Sequence, residues 1–176
     1  MENACERPQT VAIIGSFKQF YNEVLKAVSV FQNAGIQVQS PIGTNILKQG
    51  IDFVRFNTDP PIWRDSMVQT VALHRILRAD FTFVVSPKGY VGRTTCYEIG
   101  RVIQCGRPIF FSEHPVDLPL DLRDGQVQSA DELVRLIDQG KFTGSHPSGS
   151  FERILEAELL DKRYRQEHEF ESEELQ

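Results

Sequence analysis

Residues 11–40 read VAIIGSFKQFYNEVLKAVSVFQNAGIQVQS, and this stretch decides the fold. Val11-Ala12-Ile13-Ile14 is a short apolar run, mostly β-branched and closed by Gly15-Ser16, which reads as a buried strand. Phe20, Val24, Leu25, Val28 and Phe31 then recur at spacings of three and four, which predicts an amphipathic helix. Gly35 supplies its C-terminal stop. Ile36 and Val38 alternate with Gln37 and Gln39 ahead of Ser40-Pro41, giving a second strand. Strand, helix and strand over about thirty residues make a βαβ unit with a right-handed crossover.

The pattern continues outward from that unit. Residues 42–52 are turn-like, and Phe53-Val54-Arg55-Phe56 is a short strand suited to an edge. Asp59-Pro60-Pro61 opens a helix, since proline is tolerated in the first turn, and Val68, Val71, Ala72 and Ile76 carry it to about Arg78. Phe81 to Val85 is the clearest buried strand. It leads through Ser86-Pro87-Lys88-Gly89-Tyr90-Val91-Gly92 into a helix from about Thr94 to Cys105, and Pro108 to Phe111 forms a further parallel strand. Ser129-Ala130-Asp131-Glu132 is a capping box that launches a short helix through Leu133, Leu136 and Ile137. Phe151, Ile154, Leu155, Leu159 and Leu160 line one face of a last helix that runs to about Arg165. The predicted organisation is an α/β domain over residues 1–140, a Gly/Ser-rich connector over 141–150, and a C-terminal helix with an acidic tail over 151–176. The fold class is α/β: three αβα layers, Rossmann- or flavodoxin-like, around a mostly parallel sheet.

Composition narrows the function. The 176 residues are 40% hydrophobic and 24% charged, ordinary for a globular chain of one domain. The net charge of −5 resides in the tail, where Glu167, Glu169, Glu171, Glu173 and Glu174 fall among the last residues without a Lys or Arg. Setting those five aside leaves acids and bases equal, so the body lacks the basic footprint of a polymeric nucleic-acid or anionic-membrane binder. Cys5, Cys96 and Cys105 form no paired spacing, and the four histidines are scattered, which argues against disulfides and against a metal site. The polar N-terminus has no signal-peptide order, and no apolar run approaches a membrane span. The sequence thus predicts a cytoplasmic protein with no membrane partner.

In open parallel sheets, ligands bind outside the carboxyl ends of the strands, at the switch in strand order. Two loops leave strand ends with unusual content: Gly15-Ser16-Phe17, and Ser86 to Thr95. Neither is a dinucleotide fingerprint or a Walker loop. In the second, glycines precede Arg93-Thr94-Thr95 at a helix start, so backbone N–H groups, hydroxyls and a cation converge in a way that suits phosphate or carboxylate. The alternative is a plain strand-to-helix turn with threonine as N-cap. Glu98 lies one turn into that helix, where the dipole favours its ionised form, with Gly100 beside it. Such a carboxylate at a strand-end cleft can attack an electrophilic carbon; otherwise it is an ordinary first-turn glutamate. His74 reads as a packed or capping residue, Cys96 and Cys105 as small packed hydrophobes, and Trp63 as a core or interface residue.

Gly15-Ser16-Phe17, Ala79-Asp80, the run Gly89-Tyr90-Val91-Gly92-Arg93-Thr94-Thr95-Cys96-Tyr97-Glu98-Ile99-Gly100, and Gly106-Arg107-Pro108-Ile109 resemble the nucleoside 2-deoxyribosyltransferase-like superfamily. That group includes deoxynucleoside 5′-monophosphate N-glycosidases. The resemblance spans roughly residues 11–112, and its most specific part is the Tyr-Glu-Ile-Gly element. It implies cleavage or transfer at the N-glycosidic bond of a nucleoside or its 5′-monophosphate. A glutamate, here Glu98, attacks the anomeric carbon, and another base or water resolves the glycosyl-enzyme, as in a retaining glycosidase. It further implies substrate contacts from Gly15, Ser16, Phe17, Ser86, Gly89, Tyr90, Gly92, Arg93, Thr94, Thr95 and Tyr97. No metal or organic cofactor is implied; the expected partners are a small nucleoside or nucleotide and further copies of the chain in a homo-oligomer, with the last helix near an interface. Two positions depart from the pattern. The transferases' Asp six residues before the Glu is Gly92 here, and the acid of the preceding helix is replaced by Gln69 or His74, with Asp65 further back. Those departures leave a rival expectation, a non-catalytic nucleotide-binding or sensing module on the same fold. A weaker likeness, of Thr95-Cys96-Tyr97-Glu98 to a segment of cytokinin-type phosphoribohydrolases, points to the same bond.

Overall fold

The computed structural model describes residues 7–42, 55, 57–116 and 118–144. Among the described residues four strands and four α-helices alternate: β1 (Thr10–Gly15), α1 (Tyr21–Asn33), β2 (Gln37–Ser40), α2 (Asp65–Arg78), β3 (Phe81–Val85), α3 (Arg93–Gln104), β4 (Ile109–Phe111) and α4 (Ala130–Asp138). The strands form one sheet in the order β2-β1-β3-β4, and every pairing is parallel. β1 runs beside β3 from Val11↔Phe81 to Gly15↔Val85, and its other edge meets β2. The chain therefore steps outward from β1 in one direction and later returns to pass it in the other. The carboxyl ends of β1 and β3 form the switch point where such sheets open a crevice.

Strand alternation sends neighbouring side chains to opposite layers. Val11, Ile13, Phe81, Phe83, Val85 and Phe110 pack against α1 and α4 with Phe31, Leu133 and Ile137. Ala12, Ile14, Val84, Ile109 and Phe111 pack the other way, beneath Ile76 of α2 and Ile99 and Val102 of α3. The three-layer α/β architecture expected from the sequence is present. At the amino ends of β1 and β3, Asp80 Oδ2 accepts from the Gln9 and Thr10 amides at 2.8 and 2.9 Å, while the Asp80 amide donates to Thr10 Oγ1 at 2.9 Å. This reciprocal clasp fixes the β1–β3 register from the end opposite the crevice.

Several expectations are corrected. The helix placed from Asp59-Pro60-Pro61 starts only at Asp65. Pro60 to Trp63 forms a turn closed by Trp63 N–H to the Pro60 carbonyl, and Arg55 ties that turn to the helix by bonding the Trp63 carbonyl and the Asp65 carboxylate. α3 is preceded by Gly92 in extended conformation with no side-chain cap, so threonine is not its N-cap. Half of the capping box at α4 forms: Ser129 Oγ accepts from the Glu132 amide at 3.1 Å, but the Glu132 carboxylate pairs with Arg135. Cys105 and His74 are exposed rather than packed. The strand at 53–56 (all but Arg55), the C-terminal helix with its proposed interface, and the acidic tail lie outside the described residues. Among the described residues no helix is long and apolar enough to cross a membrane.

Candidate functional site

A cleft of about 450 Å³ opens at the switch point, a volume suited to a small organic ligand. Its floor is the end of β1, Ile13 to Gly15. One wall is the loop Ser16 to Gln19, the second is α2 through Val68, Gln69, Ala72 and Arg75, and the third is Tyr90 with the start of α3. The segment leaving β2 (Ser40 to Ile42) and Thr58-Asp59 close the remaining side.

Gly15 is required by this geometry. A Cβ there would lie 2.9 Å from the Val85 carbonyl oxygen and 3.1 Å from the Val85 Cβ, so any larger residue would part the two strand ends that make the cleft. Ser16 stays near the other loop: a Cβ at Gly92 would sit 3.9 Å from Ser16 Oγ and 4.0 Å from the Tyr90 hydroxyl. Tyr90 is held by its ring against Phe20, with centroids 5.7 Å apart. Thr95 and Glu98 lie one turn apart on the inner face of α3, and both are buried.

Glu98 is the chemical centre of the cleft. Its Oε1 accepts from Gln69 Nε2 at 3.0 Å, and little of its surface reaches solvent (9% exposed). Burial pushes its carboxyl up from 4.5 to about 7, and the Gln69 amide opposes that rise by donating to the charged form. The sequence argued for a carboxylate kept ionised by the helix dipole. In the structure Glu98 is the sixth residue of α3 and lies past its first turn, where the dipole has largely faded, and withdrawal from water leaves it divided between its two protonation states near neutrality. The other charged side chains lining the cleft are Lys18, Asp59, Arg75 and Arg93, an excess of cations that favours an anionic ligand.

The expected binding residues divide into two groups. Gly15, Ser16, Phe17, Tyr90, Gly92, Arg93, Thr94 and Thr95 line the cleft with Glu98. Ser86, Gly89 and Tyr97 do not. Ser86 is fully buried, its hydroxyl donates to the Glu113 carbonyl at 2.7 Å, and its amide donates to Ser112 Oγ at 2.8 Å. Gly89 adopts φ +73, and a Cβ there would lie 2.7 Å from the His114 carbonyl oxygen. The first part of the loop after β3, Ser86 to Gly89, is thus clasped to residues 112–116, while Tyr90 and Gly92 line the cleft. Tyr97 is exposed and borders a shallow neighbouring groove with Asp65, Ser66 and Gln69. Sequence reasoning did not place Arg75, Asp59 or Pro41-Ile42 at the site. The spacing of Gln69, Ala72 and Arg75 along one stripe of α2, and the position of Pro41 directly after β2, are the signals that point there. The chain matches no model of a protein family and no curated protein.

Proposed function

We propose that this cleft binds a nucleoside or its 5′-monophosphate and that Glu98 breaks the N-glycosidic bond. The observation that carries the reading is a buried carboxylate facing a ligand-sized cleft at the strand switch point, with Ser16, Thr94, Thr95 and Arg93 around it. The ionised oxygen attacks the anomeric carbon, the bond to the base breaks, and water or a second base then displaces the glutamyl ester. Hydroxyls and the Arg93 cation at the start of α3 suit a phosphate on the same sugar.

Two measurements test this. Replacing Glu98 with alanine should lower base release by roughly a thousandfold or more while leaving the fold in place; chromatography of the products reads it, and turnover at the wild-type rate would remove Glu98 from the role. If Arg93, Thr94, Thr95 and Ser16 hold phosphate, 5′-monophosphates should raise the melting temperature more than the matching nucleosides. A hundredfold excess over Kd is worth about 2.7 kcal/mol, and equal shifts for the two classes would argue against a phosphate site. The second reading is a binding or sensing module that performs no chemistry. The amide of Gln69 against Glu98 favours it, because no acid stands at that contact. Nucleotide binding without base release by the wild-type chain would establish it.

A further inference from the structure

The group that touches the Glu98 carboxylate is an amide. Gln69 Nε2 donates to Oε1 at 3.0 Å, which fixes the orientation of the attacking oxygen but provides no transferable proton. Position 92, just ahead of α3, is a glycine at which a Cβ would meet Ser16 Oγ and the Tyr90 hydroxyl. Among the described residues lining the cleft, the only other carboxylate is Asp59, which lies in the loop ahead of α2 and has a partner of its own; the other proton carriers, Lys18 and the Tyr90 hydroxyl, belong to classes of much weaker acid than a carboxyl. Breaking a bond from carbon to a neutral base nitrogen places an electron pair on that nitrogen, and general acids speed such steps by about 10²–10⁴-fold. Glu98 cannot serve as that acid in the same step, because the oxygen that attacks must be ionised.

One class of N-glycoside has no need of that proton. Resting on the reading of Glu98 as nucleophile, we infer that the preferred substrate carries a quaternary, positively charged ring nitrogen on the anomeric carbon: a pyridinium nucleotide. A Glu98 oxygen forms the bond to the anomeric carbon, the carbon–nitrogen bond breaks, and its electron pair neutralises the ring nitrogen. The pyridine leaves uncharged and no proton moves. Water then adds at the anomeric carbon, the carboxylate departs, and one proton is released to solvent. The electrostatics of the cleft fit this ligand. A cationic ring beside a desolvated carboxyl draws it toward the ionised form, opposing the burial that holds it near 7. The cations Arg93 and Arg75 remain for the anionic part of the nucleotide.

The test compares nicotinamide mononucleotide with purine and pyrimidine nucleosides and 5′-monophosphates, reading free base by chromatography at pH 7.5. We expect kcat/KM for the pyridinium nucleotide to exceed that for every neutral-base ligand by at least about a hundredfold, the lower bound of the missing acid's contribution. Gln69→Glu places two carboxyls in contact, so that they share a proton. Relative to the pyridinium nucleotide, turnover of neutral-base ligands by that variant should rise about tenfold or more, a change in ratio that mere loosening of the site does not produce. Comparable or faster wild-type turnover of neutral-base ligands would overturn this inference and leave Glu98 as nucleophile. Release of base from no ligand would overturn both.

Discussion

Against α1 and α4 the sheet presents the rings of Phe81, Phe83 and Phe110 among aliphatic side chains; against α2 and α3 it presents mostly aliphatic side chains, with the ring of Phe111, and buried polar atoms. Phe31 meets Phe81 and Phe83 edge-on at 5.7 and 5.3 Å, and Phe142 packs on Phe81 and Phe110 at 5.2 and 5.4 Å. On the opposite side Ala12, Ile14 and Val84 support a helix that carries Thr95 and Glu98 inward, and Thr82 Oγ1 is buried without a hydrogen-bond partner. The two faces share strands, so adjacent residues such as Phe83 and Val84 have different tasks. One face holds the fold together through aromatic packing. The other accepts polar groups that oppose folding, because that is where chemistry can be placed.

The sharpest way to break this contrast is to remove a ring. Phe81→Ala should destabilise the fold by about 3–5 kcal/mol, read by urea denaturation; a loss under about 1 kcal/mol would deny the aromatic face its role. The reverse sign is expected at the site. A carboxyl with a folded-state pKa of about 7 and an unfolded value of 4.5 binds its proton more tightly when folded. Its contribution is intact below 4.5 and is lost as pH rises to about 7. Glu98→Gln removes that loss, so at pH 8 it should stabilise the chain by about 3 kcal/mol, and below pH 4.5 by almost nothing. Thermal melts at the two pH values decide the matter, and destabilisation at pH 8 would show that the charged carboxylate is not a burden on the fold. The smallest effect tests the separation itself. Ser129→Ala deletes the cap of α4 at a cost of about 1 kcal/mol, and base release measured well below the melting point should be unchanged.

Much of this was legible in the sequence, for reasons specific to each element. α1 announces itself by apolar residues at spacings of three and four, and β1 and β3 by unbroken buried runs that lead into glycine or serine. The start of α2 was not legible: Pro60-Pro61 satisfies the local rule for a first turn, but the Arg55 ties to Trp63 and Asp65 come from outside the helix and move its start to Asp65. The place of Glu98 at the strand-end cleft was legible and its electrostatics were not: the sequence suggested a first-turn glutamate under the dipole, but Glu98 lies past the first turn of α3, and only the packing of α2 and β1 reveals how completely water is excluded from it. Ser86 failed for a related reason. A hydroxyl at a strand end looks free to meet a ligand, and only the tertiary structure reveals that residues 112–116 already occupy it. Between Gln69 and His74, which the sequence left as alternatives on the preceding helix, only the tertiary structure decides: the Gln69 amide meets Glu98 and His74 is exposed.

The clasp at Asp80 bears on when the cleft comes into existence during folding. β1, α1 and β2 connect through a single crossover and can associate locally, but Asp80 reaches Thr10 across 70 positions of chain. Closing so long a loop loses entropy before any contact rewards it. The floor of the cleft belongs to β1, while Gln69, Thr95 and Glu98 belong to helices on either side of β3 in the chain. A nascent chain that has completed its βαβ unit therefore has no binding site at all, and the site arises together with the longest-range strand pair in the sheet. A ligand held between β1 and α3 acts as a second fastener on that pair, at the end opposite Asp80, and resists the opening that would separate the two halves of the sheet.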